Sequence, residues 1–395
     1  MKASLQAIRP ALLLLCLGLL APGRVAALGS RYIDITTSGY AGSAPLTNFP
    51  LLVRLSTAIT GFNYTLCQTN GADLVFQDAD QNVLPHEIDT WNTNGDSFVW
   101  VCVPEMTNST TVRLFFGDPG MVAPAFTTNG TVWADGYRAV WHMNDGTGDN
   151  NILDSTANRF GGVKQAAGSP AETDAVVGKG QLFASNYINL TGLKDTSTTH
   201  TVSMWIKGSS SAASQLIFDV ETGRFLIGWG SDTAGQIGLY RSDPWGRFGA
   251  TPSLNVWHHI ALCCGGTAAT LFVDGVPYGT VVTYSGVGFS GQAALGSRFS
   301  MNQSYFAGLL DEVRVSSVLR SPDWIRASYS NMVPDSAFIA YNPVMPTPGP
   351  SLQIVSRPPG YGVANPVYGV HEGLEEGHTY TCSVSRGWDD ADGYR

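Results

Sequence analysis

Thr201-Val202-Ser203-Met204-Trp205-Ile206-Lys207 and Thr270-Leu271-Phe272-Val273-Asp274-Gly275-Val276 are the two stretches whose reading decides the fold. Side chains of a strand alternate between two faces, so the first stretch puts Val202, Met204 and Ile206 on one side. The second breaks at Asp274-Gly275, a tight-turn pair flanked by apolar runs, which marks a hairpin. The same grammar recurs outward at 139–143, 181–190, 216–220, 225–229, 236–240, 257–264 and 306–315. Upstream it recurs at 50–56, 72–77, 83–91, 97–104 and 111–117, separated by turn clusters such as Asp78-Ala79-Asp80-Gln81-Asn82. In Val99-Trp100-Val101-Cys102-Val103 almost every residue is apolar, as in a strand covered on both sides. Short strands at this spacing imply sandwiches or barrels.

One helix interrupts the pattern. Ser321 reads as its N-cap, Pro322 as its first residue, and Asp323 complements the positive helix end. Trp324, Ile325 and Tyr329 would dock one face on a sandwich, and Pro334 stops the segment. The expected fold is all-β: two consecutive antiparallel β-sandwich (jelly-roll) domains, a short helix after the second, and a partial β-rich C-terminal tail. The expected boundaries are a signal peptide at 1–27, a β-rich domain at 28–120 and a sandwich at 137–332. A Pro-rich, extended linker at 341–350 and the start of a third β domain at 351–395 would follow.

Composition narrows the functional classes. The 395 residues are 44% hydrophobic, which excludes a disordered chain, and only 13% are charged. The net charge of −9 leaves no basic stripe for nucleic acid and repels anionic lipid. Lys2 and Arg9, the apolar run 11–20 and Val25-Ala26-Ala27 read as a cleavable export signal. The apolar run is too short to span a bilayer, so the expected location is secreted or cell-surface, with no integral membrane segment in the mature chain. Of the cysteines left after cleavage, Cys67 and Cys102 are the candidate disulfide. Adjacent Cys263 and Cys264 point to opposite faces of a strand, one buried and one outward. No pair has the spacing of a cysteine zinc site.

The region 139–332 resembles the concanavalin A-like, laminin G/pentraxin-like domains of exported bacterial proteins. The resemblance rests on Ala139-Val140-Trp141-His142-Met143-Asn144-Asp145, Leu153-Asp154-Ser155-Thr156-Ala157-Asn158, Thr201–Ile206, Trp257-His258-His259-Ile260-Ala261-Leu262, Leu271-Phe272-Val273-Asp274-Gly275 and Leu310-Asp311-Glu312-Val313-Arg314-Val315, in the family's order. The region 31–119 resembles an uncharacterised β-rich domain that precedes such sandwiches in bacterial surface proteins, through Phe49–Leu55, Ala72–Phe76, Leu84–Ile88 and Phe115–Pro119. The resemblance implies a neighbouring first and last strand that often hold calcium. Asn144, Asp145 and Asp311 are then the candidate ligands, because calcium takes oxygen donors from turns. By strand alternation Leu309, Asp311, Val313 and Val315 share an inward face, which would bury the Asp311 carboxylate.

Catalysis has one candidate, His86-Glu87-Ile88-Asp89-Thr90-Trp91-Asn92. Retaining glycosidases of this sandwich class carry two glutamates and an aspartate along one strand, but Asn92 stands where the proton donor is needed. A solvated polar strand face is the preferred reading, and the protein is expected not to be an enzyme. His258 and His259, pointing to opposite faces, cannot readily share a metal. Sugar binding wants an aromatic platform with planar polar partners, for which Trp229, Tyr240, Arg241, Asp243, Trp245 and Arg247 are the candidates. The expectation is a non-enzymatic surface protein whose lectin-like sandwich binds glycans or other extracellular ligands. The alternatives are a structural spacer or adhesin stalk and, less favoured, a glycoside hydrolase.

Overall fold

The computed structural model describes residues 29–145, 150–220, 225–241 and 244–348, plus the backbone of four short strands in the tail. The signal segment, Asp243 and Cys382 lie outside the described residues. The tail strands pair as two antiparallel ribbons, Leu352–Ile354 with Gly369–His371 and Val363–Asn365 with Ser383–Ser385.

The described residues are all-β apart from short 3-10 turns and the helix Pro322–Met332. In the N-terminal unit Leu46–Leu55, Ser97–Met106 and His86–Thr90 form one sheet, with Ser97–Met106 in the middle. The facing sheet pairs Arg31–Thr36 with Thr111–Phe116, which in turn pairs with Val75–Gln77. Ile33, Ile35, Leu51, Val53, Phe76 and Val99 fill the space between them. The chain returns here at its far end. Tyr341 pairs with Ile35, and Met345 and Pro346 pair with Tyr32 and Arg31. Part of the stretch read as a linker at 341–350 therefore lies on the edge of the first sheet.

The second unit is a sandwich of two eight-stranded sheets. Val202, Met204 and Ile206 do point into its core, together with Trp141, Trp229, Phe225 and Leu271. The other side of the same strands is also covered. Trp205, Ala261, Cys263 and Phe272 pack with the N-terminal unit and with Trp324, Ile325 and Met332 of the helix in one continuous apolar cluster. Each large side chain buried this way stabilises by about 1.5–3 kcal/mol, so an apolar core joins the two units. The adjacent cysteines do point to opposite faces, but neither is outward: Cys263 is buried under the N-terminal unit and the helix, and Cys264 lies in the sandwich core.

The helix begins as read: Ser321 Oγ accepts from the Trp324 N–H at 3.1 Å, with Pro322 following the cap. Its outer end grips the first unit. Asn331 accepts from the Leu52 N–H at 3.2 Å and donates to the Pro50 carbonyl at 3.3 Å. Among the described residues no helix is long and apolar enough to cross a membrane.

Candidate functional site

One sheet of the sandwich carries the N-terminal unit on its back, which leaves the outer face of the other sheet for ligands. A groove of about 520 Å³ lies there, lined by Leu226, Tyr240, Trp245, Asp219, Arg298 and Phe299. Strand alternation assigns the faces. Phe225, Ile227 and Trp229 point into the core, whereas Leu226 and Gly228 point to the groove side. Trp245 lies across this floor: a Cβ on Gly228 would meet its ring at 3.1 Å, and one on Gly238 at 3.3 Å. Tyr240 tilts against Trp245 with ring centroids 5.3 Å apart. The far wall is the loop after Phe289–Leu295. Asp219 accepts from the Phe299 N–H at 2.9 Å, which ties that loop and Arg298 to the sheet. The groove thus combines three rings, one cation and one carboxylate.

Tyr240 and Trp245 are the expected residues that the structure brings together here. Trp229, chosen with them, is fully buried in the core because it sits on the inward phase of its strand. Arg247 turns away to pair with Asp232 at 2.6 Å. Arg241 donates to the Ser285 carbonyl at 2.8 Å. Arg298, Phe299 and Asp219 carried no sequence signal, since they lie on segments about 80 residues apart and no local spacing marks them.

A second cluster lies at the junction of the two units. The strand Ala307–Ser316 pairs along one edge first with Lys179–Ala184, up to Gln181–Leu310, and then with Tyr137–Trp141, from Trp141–Val313. Asp311 and Glu312 fall in the gap between these partners. Glu312 there has φ +49°, and the register with His200–Gly208 shifts at the same place. This bulge resets the alternation, so Leu310, Val313 and Val315 share the core and Asp311 does not join them. The shared inward face expected for Leu309, Asp311, Val313 and Val315 is corrected accordingly.

Asp311 accepts from the N–H groups of Val176 and Val177 at 3.1 and 2.9 Å. Asp145 is held by Lys164 at 2.7 Å, and Asn144 donates to Asp89 at 2.7 Å. Glu312 lies 2.6 Å from His142 Nδ1 and 2.6 Å from the Arg314 guanidinium, which stacks over Trp100 and Trp133. Burial works against a charged Glu312, but His142 and Arg314 outweigh it and hold the carboxyl below its usual range. Burial likewise opposes a charged His142, yet Glu312 and Asp89 raise it well above the usual histidine value. Burial, reinforced by Glu312 and Glu87, pushes Asp89 up to about 7.

His86–Thr90 belongs to this junction rather than to a solvated strand face. His86 is buried, and Glu87 accepts from Trp133 Nε1 at 2.6 Å and Ser155 Oγ at 2.7 Å. His258 bonds Asp274 and Ser253, both at 2.8 Å, while buried His259 packs between Trp205 and Tyr329. Cys67 and Cys102 are both free thiols. Their surroundings differ, with Asp73 the acidic neighbour of one and Asp135 of the other.

No curated protein matches the chain. Among solved structures it is similar to domain 4 of AbnA, a GH43 extracellular arabinanase from Geobacillus stearothermophilus, in complex with arabinotriose. That match has 22% identity and a TM-score of 0.40, covering 48% of this chain and 96% of that one. The binding domain of Paraclostridial Mosquitocidal Protein 1 matches at 14% identity and TM-score 0.38, covering 49% of this chain and 52% of that one. The botulinum neurotoxin serotype D binding domain matches at 11% identity and TM-score 0.37, covering 49% and 50%. The chain spans about half the length of these two toxin binding domains. Residues 182–326, the part that builds the groove, match the family model of the concanavalin A-like lectin/glucanases superfamily.

Proposed function

We propose that the chain is an exported, non-enzymatic binding protein whose sandwich holds a glycan in the groove between Tyr240, Trp245 and Arg298. The observation that carries this reading is the aromatic pair set on a glycine floor beside Asp219 and Arg298. Rings take the C–H face of a pyranose, and a fixed cation and carboxylate take its hydroxyls. The lectin/glucanase family of residues 182–326 supports a carbohydrate as the ligand. Against catalysis stands the strand His86–Thr90, whose Glu87 is occupied by Trp133 and Ser155 and whose motif ends in Asn92. Export rests on the N-terminal signal, and a secreted or surface location follows from it.

A glycan array with the purified protein, run beside a polysaccharide hydrolysis screen, tests the reading. Trp245→Ala should weaken the best ligand about tenfold, the ratio that ~1.4 kcal/mol makes. Turnover of any polysaccharide would overturn the non-enzyme reading, and silence in both assays would favour a spacer. Calcium at Asn144, Asp145 and Asp311 is the weaker proposal, because Lys164 and the Val176 and Val177 amides already serve two of those carboxylates. A calcium-selective chelator that leaves the melting temperature unchanged would remove it.

A further inference from the structure

The junction cluster gathers four carboxyl groups from both units around an arginine and a histidine. Glu87, Asp89, Asp311 and Glu312 face only Arg314 and His142 within it. Buried polar atoms without partners are costly, so donors left open in such a cluster mark a place for a ligand. Three of its buried polar atoms, His142 Nε2, Asp89 Oδ2 and Asp311 Oδ1, have no hydrogen-bond partner. His142 and Asp311 are both more than nine-tenths buried. Asp89, His142 and Glu312 each bring a ligand atom to within 4.8 Å of the other two.

The backbone is bent to make this meeting possible. Register shifts fall at Asp89, between Ile88 and Thr90, and opposite Glu312, while Met143 beside His142 has φ +62°. Consecutive strand residues normally diverge to opposite faces, and such bulges re-aim them. The three residues come from three segments: a strand of the first unit, the turn after Tyr137–Trp141, and the closing strand of the sandwich.

We propose that Asp89, His142 and Glu312 bind one divalent transition-metal ion, with Asp311 beside it, and that the ion fastens the N-terminal unit to the sandwich. This site is separate from the glycan groove and does not depend on that reading. An imidazole among carboxylates suits the series from Mn2+ to Zn2+, whereas Ca2+ and Mg2+ prefer all-oxygen shells. The compatible donors are His142 Nδ1 and Glu312 Oε1, 2.6 Å apart, and Asp89 Oδ2, which has no hydrogen-bond partner; the ion would take the place of the proton between the first two. Glu312 adds its carboxylate and is oriented by Arg314.

The test uses the purified full chain, unfolded in urea with EDTA, refolded without metal and titrated with Zn2+ by calorimetry. About one Zn2+ per chain should bind and raise the melting temperature, because a site absent from the unfolded chain couples binding to folding. His142→Ala and Asp89→Asn should lose this uptake while keeping the wild-type far-ultraviolet circular dichroism spectrum. Zinc uptake that is absent, or equal in both variants, would overturn the proposal. Should the variants fail to fold, Co2+ loaded into the wild-type chain decides. Visible bands of nitrogen–oxygen ligation support the site, and a spectrum of free Co2+ overturns it.

Discussion

Trp245 owes its position to what lies under it. A methyl group on Gly228 would stand 3.1 Å from its ring, so Gly228→Ala should lift the ring by a few tenths of an ångström. The expected result is a few-fold weaker glycan binding with an unchanged urea midpoint, read by titration and unfolding of the same preparation. Asp154 shows the opposite kind of residue, one that serves stability alone. Its carboxylate accepts from the N–H groups of Val140, Thr156 and Phe160 at 3.0, 2.9 and 2.7 Å. Asp154→Ala would leave buried donors without partners, and urea unfolding should show a loss of about 3 kcal/mol. The Asp-Ser-Thr turn was legible in the sequence as a family marker. Its hydrogen bonds to the first sandwich strand were not, because they join segments that only folding brings together.

At the scale of elements the helix Pro322–Met332 is the most instructive. Its cap, first residue and apolar stripe could be read locally, and Ser321→Ala should cost about 1 kcal/mol in thermal or urea unfolding. Its target could not be read. The stripe was expected to dock on a sandwich, and it is wedged between the sandwich sheet and the first unit, with Asn331 completing the edge of Leu46–Leu55. Asn331→Ala should therefore destabilise by about 1–3 kcal/mol, since the buried Leu52 N–H loses its acceptor. Strand Ala307–Ser316 teaches the same lesson about register. Alternation predicts one inward set, but a single residue in the left-handed region, Glu312, hands the core to Leu310, Val313 and Val315.

For the whole molecule, the joined cores make acid a test of the fold. Burial lowers His86 to about 4, and burial with Arg314 nearby lowers His259 to about 3. Both stay neutral in the folded chain while the unfolded chain takes up protons below about 6.5. Their contribution is complete above that pH and is lost as pH falls through 4 and 3, at up to about 1.4 kcal/mol per pH unit each. Urea midpoints from pH 7 to 4 should fall accordingly, and His86→Leu should flatten the curve. Equal slopes for both proteins would mean that His86 is not held neutral.

What the sequence by itself determined is whatever depends on neighbours along the chain. The alternation of Val202, Met204 and Ile206, the Asp274-Gly275 turn, the helix cap and the family markers within 182–326 are of this kind, and these hold. Which side of a strand is covered is different, because coverage comes from another segment. Cys263 and Trp205 look outward in a lone sandwich and are buried here, since the N-terminal unit and the helix lie over them. Tyr240 and Trp245 could be named as ring candidates from the sequence. Arg298 and Asp219 join them only because the loop after Phe289–Leu295 folds back across the sheet. Asp89, His142 and Glu312 are 223 residues apart from first to last, and no local pattern links them. Tertiary structure alone decided their meeting, through bulges that turn each carboxylate away from the face its own strand would have given it.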